Sequence, residues 1–223
     1  MLIENLIKKI QTLKADAIVF FTPGGWGNIT SDKEAYAKSL LVGIQKILKS
    51  WQYKTMVINY PRTGTGILGK IKSLKETLLA FPSESKKLAD LIEVIATHFR
   101  NLKIILVGYS LGGAFINEVM KKIKEKERIY GIEAGTPFFY KKIISENILH
   151  LDNGGKDALS KRNMKKLVLI GILGILKLIL LFKLIRLKIS EAFHFKEHEY
   201  FWENPEIKLK VENFLKNNLL KHA

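Results

Sequence analysis

Cysteine is absent from these 223 residues. That removes any disulfide framework or thiolate metal site, and it fits a reducing compartment such as the cytoplasm. Internal repeats, low-complexity tails and Gly/Ser- or Pro-rich linkers are missing too, which leaves the whole length, 1–223, to be read as one domain. The N-terminal stretch "MLIENLIKKIQTLK" has no long apolar centre and no small-residue cleavage site, so no secretory signal is expected. It is instead amphipathic at helical spacing, with Leu2, Leu6, Ile7 and Ile10 on one side.

Acidic residues are few as well: 21 Asp+Glu face 37 Lys+Arg, a formal charge of +16. Nucleic acid or an anionic membrane surface would feel that field. Only five of the cations are arginine, however, and no aromatic residues interleave with a basic cluster as single-strand binders require. Specific nucleic-acid binding is therefore not expected, and the lysines read as solvated helix faces. With 47% apolar and 26% charged residues, the chain is globular rather than disordered.

What is present is alternation. Short apolar runs at 17–21, 55–60, 103–108, 128–134 and 147–151 are separated by helical patterns at 31–50, about 70–80, 83–100 and 112–126. Helical patterns also open and close the chain. The expected class is α/β: a mostly parallel sheet flanked by helices on both faces, with the loops after the strands gathered along one edge.

Two glycine loops compete for function. "GTGILGKI" has Gly64, Gly66 and Gly69 at dinucleotide-binding spacing and nearly spells a phosphate-binding loop with Lys70. Ile71 stands where magnesium needs a hydroxyl, and "PRT" separates the glycines from the strand, so this loop reads as a structural turn. The other is "KIILVGYSLGGAF", in which Gly108-Tyr109-Ser110-Leu111-Gly112 fits G-x-S-x-G between an apolar run and a helical one. Glycines there permit a turn sharp enough to lift a strained serine out of the chain.

In these features the chain, from about 15 to 218, resembles the α/β-hydrolase superfamily, and its lipase and esterase branches most of all. "FFTPGGWGN" lies where the family places a first oxyanion loop, with Pro23 where many members have histidine. "YKTMVINYPRTGTG" is similar to the next strand and its "RGxG" loop. "GYSLGGA" resembles the elbow of class 3 lipases, with Tyr109 replacing the usual histidine, and "IEAGTPFF" falls where those lipases carry a glycine-proline strand end.

A serine needs a base, and the base needs an orienting carboxylate. The family order is Ser, Asp/Glu, His. Asp152 and Asp157 both lie in the right interval, and Asp157, in "GGKDAL", matches the family loop. His198, in "EHEYFWENPEIKLKVENFL", matches the family's last loop and helix; His194 competes with it. The resemblance thus implies Ser110 as nucleophile, Asp157 as acid and His198 as base, with Leu111 and Gly25 or Trp26 supplying oxyanion N–H groups. It implies an ester or lipid substrate and calls for no cofactor and no metal.

Between acid and base runs "KKLVLIGILGILKLILLFKLIRLKI", residues 165–189. Lys177, Lys183 and Arg186 interrupt it too often for a membrane span. As a helix it would set Lys166, Lys177 and Lys188 on one stripe among Leu and Ile. A lid, a membrane-interface helix giving peripheral association, and a core helix all accommodate that pattern. Three functions stay open: a serine esterase or lipase, a thioesterase or acyltransferase with the same catalytic groups, and a non-catalytic module binding membrane or a partner.

Overall fold

A computed structural model describes residues 3–25, 27–28, 30–63, 75–157, 159–160 and 198–220. Trp26, His194, the 64–71 glycine loop and the whole 165–189 stretch lie outside the described residues, and with them Lys166, Lys177 and Lys188.

Five strands form one parallel sheet: β1 (Ala17–Thr22), β2 (Thr55–Asn59), β3 (Lys103–Tyr109), β4 (Ile129–Ala134) and β5 (Ile148–Leu151), in the order β2-β1-β3-β4-β5. Around it lie α1 (Ile3–Leu13), α2 (Ala35–Ser50), α3 (Pro82–His98), α4 (Leu111–Lys122) and α5 (Pro205–Leu219). The central strands are buried almost throughout because both faces are covered, and the two-residue period of a strand deals their side chains alternately to each face. Ile18, Phe20, Ile104 and Leu106 meet α1, α3 and α4 on one side. Ala17, Val19, Phe21, Ile105 and Val107 meet α2 and α5 on the other. Phe20 pairs with Leu106, and Val107 with Ile132, so both cores run unbroken across the sheet.

The helix ends follow local chemistry. Pro205 is pre-set for a first turn, and the Asn204 side chain accepts a hydrogen bond from the Glu206 N–H at 3.0 Å. Pro82 opens α3, where the Glu76 carboxylate accepts from the N–H groups of Ser83 and Glu84. Helix α4 ends at Lys122 rather than at the expected 126. The chain must turn there to enter β4: Lys124 N–H donates to Glu93, and Arg128 donates to the Phe99 and Ala96 carbonyls that end α3. The expected helix at 31–50 likewise divides into a single 3-10 turn, Ser31–Lys33, and α2.

A parallel sheet sends the carboxyl ends of all its strands to one edge. Residues 23–25 after β1, Ser110 after β3, Gly135 after β4 and the 152–157 turn after β5 all lie there.

Candidate active site

Ser110 stands between the last residue of β3 and the first of α4 with φ 52° and ψ −117°. For a residue bearing a Cβ this backbone costs about 1–3 kcal/mol, and packing must enforce it. The two flanking glycines let it do so. A Cβ on Gly108 would strike the Gly112 carbonyl, and one on Gly112 would strike the Thr22 carbonyl of β1. Thr22 Oγ1 donates to the Gly112 carbonyl at 3.1 Å, tying the first turn of α4 to the end of β1. Ser110 N–H donates to the Ala134 carbonyl at 2.7 Å, which fixes the elbow to β4. At the start of the helix, the Leu111 N–H has no intrahelical acceptor.

Beside the elbow is an imidazole–carboxylate pair. His198 Nδ1 lies 2.8 Å from Asp157 Oδ2. Asp157 is 1% exposed and accepts further bonds: Tyr200 Oη donates to Oδ2 at 2.5 Å, and the Leu159 and Ser160 N–H groups donate to Oδ1 at 3.0 and 3.3 Å. Burial alone would push this carboxyl up. The His198, Tyr200 and Ser160 hydrogen bonds outweigh it and hold Asp157 below the usual carboxylate value. Tyr200 is fully buried, and burial beside Asp157 pushes its phenol far up, so it stays a donor. A carboxylate on Nδ1 selects the tautomer whose Nε2 carries a lone pair. That Nε2 is buried and has no hydrogen-bond partner among the described residues. No hydrogen bond joins it to Ser110 Oγ in this conformation.

The His198 ring rests on glycine. Gly135 has φ +66°, and a Cβ there would sit 2.6 Å from His198 Cε1 and 2.9 Å from Nδ1. Tyr109 closes the other side, with ring centroids 5.1 Å apart and its phenol donating to the His198 carbonyl. The rest of that loop is clamped to its neighbours. Trp202 N–H donates to Ser39 Oγ at 2.9 Å, and its indole lies over α2 where Gly43 leaves room. Asn204 Nδ2 donates to Asn153 Oδ1 at 3.0 Å, joining the histidine loop to the aspartate loop.

Of the two carboxylates weighed from sequence, His198 thus meets Asp157. Asp152 precedes the 3-10 turn Asn153–Gly155, with its carboxylate 3.9 Å from Lys210 Nζ on α5. The positive φ angles of Asn153, Gly154 and Gly155 reverse the chain between the two. Gly25 has φ +49° and open space where a Cβ would be.

Two residues to which the sequence assigned no role help to build this edge. Tyr200 completes the Asp157 shell. Arg62, 3% exposed, donates from Nη2 to the carbonyls of Pro23, Gly24 and Gly25 at 3.1, 3.4 and 2.9 Å. The sequence placed Arg62 in the loop that resembles the family's "RGxG" but gave it no role; Tyr200 offered only its place two residues after the histidine.

No family model matches this chain, and no curated protein does. Among solved structures it is similar to a Trichoderma reesei cutinase in complex with a C11Y4 phosphonate inhibitor. The match has a TM-score of 0.50 and 15% identity, and covers 96% of this chain and 87% of the cutinase. The fold is that of the α/β-hydrolases: a mostly parallel sheet flanked by helices, with Ser110 in the sharp strand-to-helix turn after β3.

Proposed function

We propose that this protein is a serine hydrolase of carboxylic esters, with Ser110 as nucleophile, His198 as general base and Asp157 as the carboxylate that orients it. One observation carries the reading: the Asp157–His198 pair leaves a buried Nε2 without a partner among the described residues, at the same sheet edge as a strained serine. Nε2 takes the Ser110 proton as Oγ attacks the ester carbonyl. The Leu111 N–H and an N–H of the 23–27 loop, from Gly25 or Trp26, receive the tetrahedral oxyanion. His198 then returns the proton to the leaving alcohol, and water releases the acyl group by the same steps in reverse order. Protein groups and water suffice for this sequence.

The likeness to a cutinase supports an ester substrate, and the apolar 165–189 sequence supports a lipid-like acyl chain. Within the superfamily, the elbow sequence favours a class 3 lipase-like relative. Thioesters and acyl transfer would use the same groups. A panel of p-nitrophenyl esters and acyl thioesters of increasing chain length separates these activities. Loss of hydrolysis in Asp157→Asn and His198→Ala, with both variants folded, supports the assignment. Full activity in either removes that residue from the mechanism.

A further inference from the structure

Arg62 is a buried cation with no acidic partner among the described residues. Burial draws its guanidinium down to about 10, and its Nε has no hydrogen-bond partner. Such a group is costly to keep inside a protein unless its position does something. Its surroundings are built around it. The guanidinium carbon lies 5.1 Å from the Phe81 ring centroid and 5.8 Å from that of Phe115. Arg62 N–H donates to the Gly27 carbonyl at 2.8 Å, and a Cβ on Gly27 would sit 2.9 Å from Arg62 Cζ and Nε.

What the guanidinium grips is specific: three successive carbonyls of the loop after β1, all drawn toward one nitrogen. A trans peptide places its C=O and the following N–H on opposite sides of the chain. Turning the Pro23 and Gly24 carbonyls inward therefore turns the Gly24 and Gly25 N–H groups away from Arg62. Neither N–H donates to any described residue. The loop also abuts the elbow, since a Cβ on Gly24 would lie 3.3 Å from Ser110 Cβ and 3.2 Å from the Tyr109 carbonyl.

We propose that Arg62 is the positioning residue of the oxyanion site: it holds the 23–25 carbonyls inward so that the loop's N–H groups face the carbonyl oxygen of the ester attacked by Ser110. This rests on the ester-hydrolase reading above. The cation contacts no reacting atom. It fixes the dipoles before substrate arrives and adds positive potential behind them, the kind of preorganisation that stabilises an oxyanion more than a neutral ester.

The test compares wild type, Arg62→Met and Arg62→Lys as full chains, each checked for folding by circular dichroism. Loss of one oxyanion donor lowers kcat by about 10²–10³-fold, so Arg62→Met is expected to lose kcat on that scale with KM within about twofold. Affinity for a boronic acid, which becomes tetrahedral and anionic on Ser110, should fall in parallel with kcat/KM, and Arg62→Lys should lie between the two. A merely structural arginine would lower the melting temperature without that parallel. Retention of both kcat and boronate affinity in folded Arg62→Met overturns the proposal; should that variant not fold, the same result in Arg62→Lys overturns it. If wild type hydrolyses no ester and binds no boronate, the enzyme reading has failed. The Gly24 and Gly25 amide resonances then decide: movement in the Arg62 variants upholds the positioning role, and unchanged resonances overturn it.

Discussion

Replacing Gly135 by alanine tests how tightly the His198 ring is held. The new Cβ would lie 2.6 Å from Cε1 and 2.9 Å from Nδ1, whereas carbon atoms rest at about 3.5–4.0 Å. The ring must therefore retreat by about 1 Å. It cannot do so while keeping the 2.8 Å bond to Asp157, because Asp157 is itself fixed by Tyr200, Leu159 and Ser160. A misplacement of about 1 Å costs a catalytic group on the order of 10²-fold, and that is the expected fall in kcat/KM. The φ of +66° adds backbone strain of about 1–2 kcal/mol for a residue with a Cβ. For a chain of this size that lowers the melting temperature by about 2–8 °C. Steady-state hydrolysis of p-nitrophenyl butyrate and a thermal melt read the two effects separately. A folded Gly135→Ala with kcat/KM within about threefold of wild type would refute the placement of His198 as the working base.

Tyr200→Phe removes the 2.5 Å donor to Asp157 Oδ2 but leaves the other three, so kcat should fall about tenfold and a melt should show a loss of about 1–3 kcal/mol; unchanged kcat would make Tyr200 a packing residue only. A second histidine gives a pH prediction. His150 sits with Nδ1 3.1 Å from Glu133 and Nε2 2.7 Å from the Ile143 carbonyl. Burial opposes its charge, but the Glu133 contact outweighs burial and raises its value above the ordinary 6.5. Because the folded value is the higher, this stabilisation is complete below about pH 6.5 and is lost as pH rises through the folded value. The melting-temperature gap between wild type and His150→Gln should therefore narrow from about pH 6 to about pH 8; a constant gap would contradict the charged pair. For 165–189, the sequence predicts sedimentation with anionic liposomes, weakened by salt and by Lys→Gln at 166, 177 and 188, without loss of short-ester hydrolysis. Indifference to all liposomes would assign the stretch to the core.

The strands were legible because each central one is covered on both faces, so that its apolar run stands out without help from tertiary contacts. The sharp turn at Ser110 was legible for a related reason: the two glycines that permit its backbone lie within two residues of it. Ends were less so. Helix α4 stops at Lys122 because Glu93 and Arg128, residues of other segments, turn the chain, and no residue within 112–126 announces that. The choice between Asp152 and Asp157 likewise depends on a partner 41 positions away, and on backbone reversal at Asn153–Gly155 that composition only hints at. Arg62 and Tyr200 received no role from the sequence because each acts on another loop, 37–39 and 43 positions distant, and a side chain's reach across such intervals is set by the sheet and not by local pattern.

Whether Ser110 is an activated nucleophile is decided by intact-mass and peptide mass spectrometry after incubation with a fluorophosphonate. A single adduct per chain is expected, carried on Ser110, slowed in His198→Ala and absent from folded Ser110→Ala. A wild-type chain that takes up no adduct, or a Ser110→Ala chain labelled as fast as wild type, would contradict it.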